Sequence, residues 1–148
     1  MRTAIVVVAL AYLAVLLTLT FLPLGATTEP GTTDVRLEPF RTIRGALRLG
    51  PGSRSFALLI GNIVAFVPVG VLVPALLARR SWIAAVGIGF LLSVAIEVTQ
   101  FAANVLVDFR YRRADVDDVI LNTLGAALGY VAFAVIDSIR TRLDQARG

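Results

Sequence analysis

SFALLIGNIVAFVPVGVLVPALLA, residues 55–78, runs for twenty-four residues without a charged side chain. As a helix rising 1.5 Å per residue it would be about 36 Å long, enough to cross the roughly 30 Å hydrocarbon core of a bilayer. Three other stretches read the same way. Residues 3–28 and 119–136 hold no charge, and residues 81–107 hold one, Glu97. The whole chain is 148 residues, 57% hydrophobic and 16% charged. Soluble domains carry about 25% charged residues. A soluble core of this size could not hide so much apolar surface, which excludes a soluble enzyme, a disordered tail and a disulfide scaffold. The sequence implies an all-α, polytopic membrane protein. It forms one domain over residues 1–148, a four-transmembrane-helix bundle with spans at about 3–22, 56–78, 82–103 and 118–136.

Arg2 precedes the first span, as in a signal peptide, but the apolar run exceeds the 7–15 residues of a typical signal-peptide core. Leu24 also stands where a cleavage site wants a small residue, so the segment reads as a retained signal anchor. Residues 23–55 form a polar loop. Within it, residues 37–49 predict a short interfacial amphipathic helix. Phe40, Ile43 and Leu47 share one face, and Arg41, Arg44 and Arg48 an adjacent one. The fourth span should be followed by a short charged helical extension over residues 137–148.

There is no Cys, no His and no Lys; all 14 basic residues are Arg. Thiolate, imidazole and Schiff-base chemistry are therefore absent. The net charge of +4 does not point to nucleic acid here, because Arg beside membrane spans reports topology and headgroup contact. Arg2, Arg79, Arg80, Arg140, Arg142 and Arg147 crowd close to the helix ends on one side. That density predicts cytoplasmic N- and C-termini in a cell membrane, with the two long loops facing outward.

Polar residues inside spans are costly and face the bundle interior. Ser93, Glu97, Gln100 and Asn104 form one stripe of the third span, and Asp118, Asn122, Gly125 and Gly129 one stripe of the fourth. Asn62 lies near the start of the second. All belong to helix ends on the same side, which predicts one polar pocket of Asn62, Glu97, Gln100, Asp118 and Asn122. Arg112, Arg113, Asp115 and Asp117 lie in the adjoining loop. Glu97 needs a counter-charge, a proton or a cation, and Arg112 is the expected partner. Asp115 is the expected N-cap of the fourth helix. Gly125 and Gly129 make a GxxxG contact face, open in principle to another helix or to a second copy of the chain. Pro68, Gly70 and Pro74 predict a kinked second span.

Asn62-x3-Phe66-x-Pro68-x-Gly70, Glu97-x2-Gln100 and Arg112-x2-Asp115-x-Asp117-Asp118-x3-Asn122-Thr123-x-Gly125-x3-Gly129 together resemble the VanZ-like family, as does Pro39-Phe40 after the first span. The resemblance covers roughly residues 35–135. It departs from the family where Tyr111 precedes Arg112 and a second Arg follows, which makes Arg113 a rival for the pairing role. The family is named for a membrane protein of a glycopeptide-resistance cluster that lowers susceptibility to teicoplanin without needing altered wall precursors. The resemblance thus implies a cell-envelope protein more than a reaction.

Three functional readings follow. The first is binding of a lipid headgroup, a lipid-linked wall component or a glycopeptide at the outward pocket. Its candidate binding residues are Asn62, Glu97, Gln100, Arg112, Asp115, Asp118 and Asn122, with Arg41, Arg44 and Arg48 on phosphates. The second is an enzyme acting on a lipid, with Glu97 as acid/base and a divalent cation on Asp115 and Asp118. The third is a satisfied interhelical network without a ligand. No other cofactor is evident, and transport is a weaker fourth, because the cluster is not at the midplane.

Overall fold

The computed structural model describes residues 2–21, 35–106 and 114–146. It has five helices: α1 (Arg2–Phe21), α2 (Arg41–Leu49), α3 (Arg54–Leu77), α4 (Trp82–Leu106) and α5 (Val116–Gln145). Four of them, α1, α3, α4 and α5, are long and apolar enough to cross a membrane. Their ends alternate, so the end of α1, the start of α3, the end of α4 and the start of α5 share one side with α2. This is the all-α, four-span bundle with a short additional helix that the sequence implied.

Packing centres on α5, which lies along α3, contacts α4 and touches α2. α1 packs against α3, where the Tyr12 hydroxyl donates to the Ala65 carbonyl. The core gathers Leu16, Phe66, Val69, Val73, Ala85 and Ile96. Elsewhere the spans keep their apolar side chains outward: Leu16 alone is buried in α1, and Val64, Leu91 and Val98 are each at least 60% exposed. In water such surface would aggregate; in a bilayer it meets lipid.

At three glycines the α3–α5 seam brings backbone against backbone. A Cβ added to Gly125, Gly129 or Gly70 would lie 2.2 Å from Ile63 O, 2.0 Å from Val67 O and 2.0 Å from Ala126 O, respectively. Backbones meet directly, the close approach that small residues permit between membrane helices. In this chain the Gly125/Gly129 face is filled by α3.

α5 continues through the expected extension as one helix of 30 residues, because residues 130–146 contain neither Gly nor Pro to stop it. Its far end is tied to the α3–α4 turn, where Arg80 pairs with Asp137 and reaches Thr141. α3 remains one unbroken helix through Pro68 and Pro74. It starts at the Ser53 cap, whose hydroxyl accepts the Phe56 N–H at 3.2 Å.

α2 spans Arg41–Leu49 rather than 37–49. Phe40 adopts a left-handed φ of 66° just before it, and Gly50, with φ 72°, ends it. One side of α2 docks on the bundle. Ala46 and Ile43 pack against Leu59, Leu121 and Ile63, whereas Phe40 and Leu47 remain exposed. Ala46 is small enough to let α2 lie close on α3 and α5. Phe40 and Leu47 are left outward, together with Arg41, Arg44 and Arg48.

Candidate functional site

The segment before α2 and the start of α5 are stitched backbone to backbone. The Arg36 N–H donates to Ala114 O at 2.9 Å, and the Val116 N–H donates to Arg36 O at 3.0 Å, a parallel bridge of Arg36 with Asp115. This places three acidic residues, Asp115, Asp117 and Asp118, beside the start of α2 and the ends of α3 and α4.

Each carboxylate has its own task. Asp115 is the N-cap of α5 and accepts the Asp117 N–H at 3.0 Å, as the sequence predicted. Its other oxygen accepts the Thr42 hydroxyl at 2.5 Å, and Thr42 Oγ1 in turn accepts from Arg36 at 3.4 Å. Asp117 is completely buried. It accepts three backbone N–H groups: Phe40 at 2.5 Å, Thr42 at 2.7 Å and Ile43 at 3.0 Å. Those are the orphan donors at the start of α2. Phe40, at the N-cap position, makes no side-chain cap of its own. Asp115 thus caps its own helix, and Asp117 caps the neighbouring one. A carboxylate at a helix N-terminus also gains from the helix dipole.

The remaining polar residues tie helices in pairs. Asn62 Nδ2 donates to Asp118 at 2.6 Å, joining α3 to α5. Asn122 Nδ2 donates to Ser93 Oγ at 2.9 Å, joining α5 to α4. Glu97 accepts the Asp115 N–H at 2.9 Å. Gln100 points elsewhere, donating to Thr20 O in the last turn of α1 at 3.3 Å. The residues expected in one pocket, Asn62, Glu97, Gln100, Asp118 and Asn122, all make interhelical or cap hydrogen bonds at one end of the bundle. Arg112, Arg113 and the side chain of Asn104 lie outside the described residues, and with them the expected Glu97–Arg112 pair. Among the described residues, no buried side-chain N or O lacks a partner.

In this structure the Asp115 and Asp118 carboxylates are engaged by protein donors. The carboxylates accept N–H and O–H donors, which turn their positive ends toward the oxygens a metal would need. Among the described residues, no three acidic side chains converge as metal ligands.

Sequence reasoning underrated Asp117 and Thr42. Asp117 carried a usable signal: it lies four residues before Leu121 and eight before Gly125, on the buried stripe of α5. Thr42 carried none, since its role depends on where α2 docks.

What faces outward differs in kind. Arg41, Arg44 and Arg48 are exposed on α2. Arg41 pairs with Glu38 at 3.1 Å, and Arg44 donates to the carbonyls of Phe40 and Pro39. Near the start of α2, where Thr42 bonds Asp115, a cleft of about 290 Å³ opens between residues 35–37, α4 and the first turns of α5.

One family model, described as VanZ/LLP1, matches residues 9–137. No curated protein and no solved structure matches the chain.

Proposed function

The chain belongs to the VanZ/LLP1 family, and from that premise we propose that it is a cell-envelope membrane protein that binds the phosphate of a lipid headgroup or lipid-linked wall component. The site is the arginine row of α2, on the outward side of the membrane. One observation carries the reading: the buried Asp117 carboxylate holds three N–H groups at the start of α2. A nine-residue helix is marginal by itself. Fixed in this way, α2 presents Arg41, Arg44 and Arg48 on its exposed side, beside the exposed Phe40 and Leu47. Guanidinium groups recognise phosphate through paired N–H donors. Apolar neighbours hold such a helix at headgroup depth.

Asn62, Glu97, Asp115, Asp118 and Asn122 act as positioning residues in this account. They fix the helix ends on which the binding surface rests. Engagement of a wall precursor at this surface would alter access of a glycopeptide of the teicoplanin type to its target.

The test is teicoplanin susceptibility of a sensitive Gram-positive host. Wild type is compared with an Arg41/Arg44/Arg48→Gln triple variant and with Asp117→Ala, at matched membrane levels. Protection by wild type that both variants lose is the expected result. Protection that survives the triple variant contradicts the arginine row as the site.

A further inference from the structure

The cleft near the start of α2 has walls of a different chemistry from the arginine row. Val35 and Leu37 form one side, Val98 and Phe101 of α4 a second, and Val119 of α5 a third. In an extended segment alternate side chains point to opposite faces. That is why Val35 and Leu37 line the cleft while Arg36, between them, reaches Thr42. Glu97 and Asp115 also border the cleft, yet its lining is almost wholly hydrocarbon, because both residues are more than 90% buried. The Asp115 carboxylate is turned into Thr42 and the Asp117 N–H, and the Glu97 carboxylate takes the Asp115 N–H.

Water gains nothing in such a space, since it needs two to four polar partners. The cleft's position supplies the alternative. Val98 lies eight residues from the end of α4 at Leu106, about 12 Å along the helix, and is 60% exposed on the lipid-facing surface. Leu37 is four residues from Arg41, at most about 14 Å of chain. The cleft therefore lies just below headgroup level, within reach of Arg41 at the start of the arginine row. Its volume of about 290 Å³ is at the small end of ligand pockets, which run from roughly 300 Å³ upward. It suits part of a lipid rather than a whole one.

We propose that this cleft holds the upper part of one acyl chain of an anionic glycerophospholipid whose phosphate is bound by the arginines of α2. The inference rests on the proposed arginine site and adds a second determinant to it, the lipid tail. The lipid is gripped at two places: charge selects the headgroup and the cleft retains the chain.

The experiment uses the full-length protein in nanodiscs of phosphatidylcholine with a minor fraction of phosphatidylglycerol. The phosphatidylglycerol carries a photo-activated diazirine near the glycerol end of one chain. Labelled residues are mapped by mass spectrometry in wild type, in Val98→Trp, which fills the cleft, and in Leu91→Trp. Leu91 lies on the same lipid-facing stripe of α4, two turns away, and is 64% exposed. Both substitutions are on exposed positions, and equal thermal stability of the variants confirms the fold. Labels concentrated on residues 35–37, 98–101 and 116–119, falling several-fold in Val98→Trp and unchanged in Leu91→Trp, are expected. Labels spread evenly over the outward faces of the spans overturn the proposal, as does labelling of the cleft that survives Val98→Trp. Preferential labelling from a polyprenyl phosphate probe of the same design, with little from phosphatidylglycerol, overturns the choice of lipid.

Total retention of phosphatidylglycerol over phosphatidylcholine is read in the same samples and in the Arg41/Arg44/Arg48→Gln variant. Retention that depends on the arginines while labels spread evenly rejects the cleft alone. Retention that ignores the arginines rejects the headgroup site beneath it.

Discussion

α5 is held at two places by opposite means. Along its middle it meets α3 through glycines, backbone on backbone, with Gly125 and Gly129 under the carbonyls of Ile63 and Val67. At its start it meets α2, α3 and α4 through directed hydrogen bonds from carboxylates and amides, beside the apolar contact of Leu121 with Ala46 and Leu59. The seam tolerates no added atom, yet forms no polar contact that a ligand could use. The junction is built from charge, which is expensive in a membrane unless every group is satisfied. That cost is met where a small surface helix must be held at one place and angle. On the proposed function, the seam serves assembly and the junction serves presentation of α2.

The seam is where the contrast breaks most sharply. Gly129→Leu places a side chain where even a Cβ lies 2.0 Å from Val67 O. The loss should exceed the roughly 1–3 kcal/mol of ordinary overpacking and abolish monodisperse protein in detergent size-exclusion chromatography. Normal yield would show that α3 and α5 can separate without unfolding the bundle.

Asp117→Ala comes next. It strips the partner from three N–H groups, each costing about 1–3 kcal/mol if left buried and unsatisfied. Because α2 can swing toward water, the expected outcome is local. Amides of residues 40–46 lose hydrogen-exchange protection while those of α3 and α5 keep theirs. Uniform loss of protection would mean that the junction also assembles the bundle.

Asn122→Ala removes the tie to Ser93 inside the bundle. Interhelical side-chain hydrogen bonds in membranes average about 0.6 kcal/mol. A small fall in the thermal midpoint is expected, with α2 protection unchanged.

Glu97→Gln sharpens the comparison further, because the amide oxygen can still accept the Asp115 N–H. A stability change of about 1 kcal/mol or less is expected, measured by thermal unfolding in detergent. A much larger loss would show that the negative charge of Glu97, and not its acceptor oxygen alone, holds the junction.

Arg80→Gln, at the opposite end, should be nearly silent. The pair with Asp137 is largely exposed at Arg80, and such pairs contribute about 0–1 kcal/mol. A unit rise or fall in protein yield with this variant would place an assembly role at that end too.

The spans were legible because their signal is compositional. Four uncharged runs of sufficient length need no knowledge of neighbours. The Asp115 cap was legible for a similar reason, being a local relation to the next turn. The GxxxG face was legible as a close contact but not as a contact with α3, since spacing alone does not say which helix arrives. The docking side of α2 was not legible, because an isolated amphipathic pattern shows which residues are apolar but not that Ile43 and Ala46 meet the bundle. Asp117 was passed over because its partners are backbone N–H groups 74 to 77 residues away in the chain. No pattern in a sequence marks backbone donors as unsatisfied until the helix they begin has been placed.

The measurement that bears most directly on the account is lipid retention by native mass spectrometry. Protein is released from nanodiscs of equal phosphatidylglycerol and phosphatidylcholine. Wild type should carry phosphatidylglycerol preferentially. Arg41/Arg44/Arg48→Gln should lose that preference, and Asp117→Ala should lose it too although every arginine is present. Equal retention of the two lipids by wild type, or an unchanged preference in both variants, would contradict the claim that the junction exists to present α2 to phosphate.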